Sequence, residues 1–191
     1  MKRRVAILIS GRGSNATALI EAAEADDYPA TIVGVLSDRA DAAGLAMARG
    51  HDIPTSAVER IAGEPRADHE TRIEQQLADW DAELLCLAGY MRVISPGMVR
   101  RWSGRMLNIH PSLLPAFPGL HTHERALERG VKVHGCTVHL VNEGIDEGPI
   151  LAQATVPVRP DDTPETLAAR LLAEEHKLYP AALAALIGAP E

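Results

Sequence analysis

The chain has 191 residues, 46% of them hydrophobic, a formal charge of −7 at neutral pH and two cysteines. That length suits one well-filled core and favours one domain over residues 1–191, while the negative charge, without any stripe of Lys or Arg, argues against nucleic acid as a partner. No stretch approaches the ~20 apolar residues of a membrane span, so the expectation is a cytoplasmic protein with no membrane partner.

Strand-length apolar runs alternate with helical patterns through the first half. "RVAILIS" reads as a buried first strand and "NATALIEAAEA" as its helix. "ATIVGVLS" is a second strand, "DAAGLAMARG" a helix closed by Gly50, and "IPTSAV" a short third strand. In "ADHETRIEQQLADW" the residues Ile73, Leu77 and Trp80 recur at helical spacing on one face, with charges opposite. "ELLCLAG" is a fourth strand, "SPGMVRRW" a short helix and "RMLNIH" a fifth strand, followed by a long proline-punctuated loop. Such an order predicts a doubly wound α/β sheet whose ligand lies beyond the carboxyl ends of the strands. The second half differs, because "HGCTVHLVN" and "GPILAQATVPV" are separated only by "EGIDE", a hairpin-like connection. A last helix starts at Thr163 as N-cap with Pro164 in first position, and runs to Tyr179–Pro180. Cys86 and Cys136, both in strand-like surroundings, read as buried thiols.

Three stretches carry chemistry. In "SGRGSNATAL" a strand ends at Gly11 and Gly13 and a helix begins, a setting in which backbone N–H groups bind a phosphate. The same stretch is open to two other readings: a plain turn capped by Ser14 or Asn15, or the G-x-G-x-x-A start of a dinucleotide site with Asp38 as the ribose acid. The segment holding His110, His121, His123, His134 and His139 lacks a recognisable metal pattern, so surface or loop histidines are expected and no metal is called for. In "NIHPSLLPAFPG", finally, Asn108 and His110 stand two apart on a strand and therefore face the same side. An amide donor and a protonated imidazole aimed at one point would form an oxyanion site, with Asp146 of "NEGIDEGP" as a possible partner for the imidazole; the alternative is a structural pair before a rigid turn. No covalent nucleophile accompanies them, so direct transfer between two bound substrates is preferred.

Taken together, "ISGRGSN", "LAGYMRVISP", "LNIHPSLLPAFPGLHTHERAL", "HGCTVHLVNEGIDEGPILAQ" and "EEHKLYP" resemble the folate-dependent phosphoribosylglycinamide formyltransferase family, in order and over nearly the whole chain. The resemblance implies a mostly parallel, mixed sheet of seven strands with helices on both faces, its first half binding the nucleotide and its second building the folate cleft. It implies formyl transfer from 10-formyltetrahydrofolate, acting as co-substrate, to the amine of glycinamide ribonucleotide in purine biosynthesis, with no metal. By that resemblance Asn108, His110 and Asp146 are catalytic, while Gly13, Ser14, Asn15 and Glu175 hold the ribonucleotide. Folate would meet Arg66, Met91, Arg92, Val93, Ile94 and Asn108, together with Asn142, Glu143, Gly144 and Ile145 of a binding loop. The ending "LIGAPE" is shorter than in many relatives, so catalysis is expected intact while assembly, as monomer or homodimer, stays open.

Overall fold

The computed structural model describes residues 1–189. Its strands are β1 (Arg3–Ile9), β2 (Ala30–Ser37), β3 (Thr55–Ala57), β4 (Leu84–Leu87), β5 (Met106–His110), β6 (Val133–Leu140) and β7 (Ile150–Pro157). They form one seven-stranded sheet in the order β3-β2-β1-β4-β5-β6-β7. β1 to β5 run parallel, whereas β6 is antiparallel to β5 and β7 to β6. The parallel part is apolar on both faces, as a sheet covered by helices requires; Val5, Ala6, Ile7, Leu8 and Ile9 are all fully buried.

The helices are α1 (Ser14–Ala23), α2 (Ala43–Gly50), α3 (Arg66–Asp79), α4 (Pro96–Arg101), α5 (Thr122–Glu128) and α6 (Pro164–Gly188). One core packs α1, α2 and α6 against one face of the sheet through Leu19, Leu45 and Leu183. A second packs α3 and α4 on the other through Ile73, Leu77 and Met98. Trp80, just past α3, lies against β2 at Gly34, where an added Cβ would fall 2.4 Å from the indole.

Two elements depart from the sequence expectation. The segment after β5 contains α5, preceded by His121 in the left-handed region with no side-chain cap. Seven residues with one buried Ala126 and buried Thr122 give too little periodicity to be seen. The last helix passes through Pro180 and continues to Gly188, not ending at the proline. An interior proline forfeits one helical hydrogen bond, but Ala182 and Leu183 beyond it are buried in the core, and Tyr28 donates its hydroxyl hydrogen to the Pro180 carbonyl at 2.8 Å.

Candidate active site

Sheet order reverses between β1 and β4, and the connections leaving their carboxyl ends diverge there to open a crevice. On the β1 side the turn Gly11–Gly13 leads into α1. Gly13 takes φ 74° at the N-cap, so neither Ser14 nor Asn15 caps the helix as the plain-turn reading expects. Its missing side chain also allows contact with α2, since a Cβ would sit 3.0 Å from Gly44 Cα. With no side-chain cap, the positive end of α1 is left for an anionic ligand.

Asn15 reaches α6 instead, donating from Nδ2 to Glu175 Oε2 at 2.7 Å, while its Oδ1 is buried without a partner. Burial pushes the Glu175 carboxyl above its usual range, and the Asn15 N–H partly offsets this. One turn further along α6, Tyr179 donates to the carbonyls of Leu87 and Leu107 at 3.0 and 3.1 Å, fastening the helix beside Asn108. Gly13, Ser14, Asn15 and Glu175 are thereby gathered on one side of the crevice.

The β5 side carries the polar cluster. Register pairs Asn108 with His139 and His110 with Thr137 across β5 and β6, so all four side chains share one face. His139 Nδ1 lies 2.9 Å from the Leu140 carbonyl, which accepts its hydrogen and fixes the tautomer. Burial lowers the His139 pKa below the usual histidine value, so the bare Nε2 accepts from Asn108 Nδ2 at 3.2 Å. Asn108 is thus oriented and retains a second N–H.

His110, only 6% exposed, faces an acceptor at each ring nitrogen. Nε2 is 3.0 Å from the Phe117 carbonyl, and Nδ1 is 3.3 Å from Asp146 Oδ2. An imidazolium would turn an N–H toward each of these oxygens, whereas a neutral ring would set a lone pair against one of them. Asp146 also accepts from Gly119 N at 2.8 Å and lies 3.7 Å from His139 Nε2. One carboxylate therefore joins the turn between β6 and β7, the proline-rich loop and His110.

The expectation of surface or loop histidines holds for exposed His121 but is corrected for others. His110, His134 and His139 are buried on strands, and His123 lies on α5. His134 packs edge-on against His123 at 5.3 Å between centroids, and burial, with His123 nearby, pushes its pKa down to about 4. No group of three or more metal-type ligands gathers among the described residues. Burial raises both thiols, Cys86 and Cys136, to about 12, which removes them as nucleophiles.

A cavity of about 220 Å³ opens beside the crevice, lined by Arg66 and by Met91, Arg92, Val93 and Ile94, all anticipated, together with Arg60, His69, Glu70 and Tyr90. It does not reach Asn108 or the loop Asn142–Asp146. That loop is tied to α4 by Arg100 and Glu143 at 2.8 Å. Asp38, 4% exposed at the side chain, holds Arg92 in an ion pair at 2.6 Å. A carboxylate buried against a guanidinium is not presented to a ribose, which removes the feature that favoured a dinucleotide. Glu70, buried, accepts from Ser95 N at 2.7 Å and from the Ser95 hydroxyl, pinning the end of the Met91–Ile94 segment.

His139, Asp38 and Glu70 were not anticipated in these positions. The alternation of Thr137 and His139 in "HGCTVHL" was the only available signal, and it becomes meaningful only with the β5–β6 register.

Residues 3–183 match the formyl transferase family model. The chain is 42% identical to the phosphoribosylglycinamide formyltransferase of Escherichia coli (strain K12), covering 92% of this chain and 83% of that protein. It is 48% identical to the trifunctional purine biosynthetic protein adenosine-3 of Bos taurus, covering 95% of this chain but only 18% of that much longer protein. Among solved structures, the phosphoribosylglycinamide formyltransferase of Brucella melitensis superposes with a TM-score of 0.94 at 53% identity, covering 100% of this chain and 98% of that one. A formyltetrahydrofolate deformylase from Pseudomonas syringae gives 0.90 at 28% identity, with 98% of this chain and 62% of that one covered. The chain belongs to the formyl transferase family.

Proposed function

We propose that the chain transfers a formyl group from 10-formyltetrahydrofolate directly to the primary amine of glycinamide ribonucleotide, a step of purine biosynthesis, as a cytoplasmic enzyme. The observation that carries this reading is the pair of donors Asn108 and His110 on one face at the carboxyl end of β5, with Asp146 behind His110. In this reading α1 and the Gly13–Asn15 turn hold the phosphate and Glu175 the ribose. Arg66 and the Met91–Ile94 segment hold the folate from one side, Asn142–Ile145 from the other.

The amine nitrogen attacks the formyl carbon, and the carbonyl oxygen becomes an oxyanion that needs donors already in place. Asn108 supplies the N–H not given to His139. His110 supplies Nε2–H, turning from the Phe117 carbonyl while Asp146 retains Nδ1; catalytic hydrogen bonds often rearrange when substrate arrives. Collapse of the intermediate breaks the bond between the formyl carbon and folate N10. His110 gives its Nε2 proton to N10, directly or across one water, and the proton lost by the amine restores it. No covalent enzyme intermediate is needed.

Incubation with 10-formyltetrahydrofolate, with and without glycinamide ribonucleotide, tests the proposal. Tetrahydrofolate should appear only with the acceptor present, together with formylated ribonucleotide. Equal release of formate without acceptor would overturn it in favour of hydrolysis.

A further inference from the structure

Three guanidiniums line the cavity beside the crevice, and their charges are not equally compensated. Arg92 is neutralised by Asp38. Arg60 and Arg66, both exposed, form no ion pair among the described residues. Three nearby glutamates are turned to other partners. Glu64, four residues from Arg60, is bound through both oxygens by Arg72 at 3.0 and 2.8 Å. Glu59 accepts from Ala40 N at 3.1 Å, and Glu70 is turned inward to Ser95.

Arg60 is also held in place. Its Nε and Nη2 both donate to the Glu64 carbonyl, at 3.3 and 2.9 Å, so the loop supplies the stem's anchor while leaving the charge uncancelled. The cavity floor is apolar, built from Leu8, Ile73 and Met98, all buried. An apolar floor under two exposed, uncompensated cations suits a ligand with a flat organic body and a tail bearing two negative charges.

We propose that Arg60 is a second specificity residue for the formyl donor, binding one carboxylate of its glutamate tail while Arg66 binds the other. The inference rests on the folate reading above and extends it to a residue on the loop between β3 and α3. Two guanidiniums read a dicarboxylate where one would read only a single charge. Each contact is solvent-exposed, so its contribution is modest and weakened by salt.

The test compares 10-formyltetrahydrofolate with its counterpart lacking the glutamate, measuring kcat/KM for each at low and high salt. The parent should prefer the intact donor, and Arg60→Ala should reduce that preference about three- to tenfold at low salt. Arg60→Lys, which keeps the charge, should restore a substantial part of it. Titration of tetrahydrofolate and of tetrahydropteroate by calorimetry gives a readout independent of turnover. If both bind and Arg60→Ala leaves their affinity ratio at the parental value, the role of Arg60 is overturned while the folate reading stands. If neither binds the parent, the folate reading itself fails.

Discussion

The two sides of the crevice are built on different physical principles. On the β1 side the ligand surface is backbone: a left-handed glycine, an uncapped helix end and a helix dipole, with side chains such as Glu175 reaching in from α6. On the β5 side the surface is side chain: Asn108, His110, His139 and Asp146 converge from two strands and a turn, Asn108 hydrogen-bonded to His139, His110 beside Asp146, and the rest of their contacts made to the backbone. In the proposed reading the parallel half binds a phosphate with little demand on residue identity, whereas the antiparallel half depends on the identity of each member. Loss of a β5-side group should appear in kcat, and loss of a β1-side feature in KM.

The largest effect is expected at Asp146, which orients His110 and also anchors Gly119. Asp146→Asn should lower kcat at least about 100-fold, because an amide oxygen can take the same two contacts but brings no negative charge to stabilise imidazolium. Steady-state kinetics with both substrates measure this. A kcat near the parental value would show that the cluster is scaffolding and would erase the contrast between the two sides.

His139 sharpens the contrast, since it touches the proposed chemistry only through Asn108. Removing its acceptor with His139→Ala should cost about tenfold in kcat by releasing the Asn108 amide. Gln at this position keeps an acceptor without titrating and should lose less. The pH profile gives a separate signature. His139 has its folded pKa below the unfolded value of 6.5, so as pH falls through the folded value Nε2 gains a proton and can no longer accept from Asn108. The parent should lose kcat on that acid limb, and His139→Gln should lack the corresponding step. By the same sign, His139 lowers folding stability progressively as pH drops below about 6.5, and makes no such demand above it.

These asymmetries also explain what the sequence disclosed. The parallel half was readable because its signals are local: apolar runs, a Gly-x-Gly turn at a strand end, and a helical face bearing Ile73 and Leu77. Even the approach of Asn108 to His110 follows from strand periodicity alone. What stayed hidden depends on pairing. His139 joins Asn108 only through the β5–β6 register, Asp38 meets Arg92 only because β2 and β4 end at the same edge, and α5 is too short to announce itself. Of the readings open at α1, the plain turn capped by Ser14 or Asn15 falls, because Gly13 takes the N-cap and contributes only backbone.

Gly13 tests the backbone side. Gly13→Ala places a Cβ at positive φ and 3.0 Å from Gly44 Cα, which costs roughly 1–2 kcal/mol of stability and distorts the turn. The KM for glycinamide ribonucleotide should rise about five- to tenfold, with a smaller change for the folate donor. Equal changes in both, in a variant still folded at the assay temperature, would show that this turn does not distinguish the substrates.

The smallest effect is expected where the antiparallel half meets α4 at its surface. Arg100 and Glu143 are 2.8 Å apart, but their side chains are 66% and 52% exposed, so water and salt screen most of the attraction. The loop they join has stronger restraints. Asn142 Oδ1 accepts from Gly144 N at 3.0 Å, and Gly148 lies so close to β6 that a Cβ would fall 1.7 Å from the Leu140 carbonyl oxygen. Asp146 is in turn held by Gly119. Arg100→Ala should therefore raise the donor KM by no more than about threefold, and the difference should vanish in high salt, while kcat stays governed by Asp146. A tenfold or salt-independent change would mean that the loop depends on its rim, and that the turn and buried contacts do not set the position of Asp146.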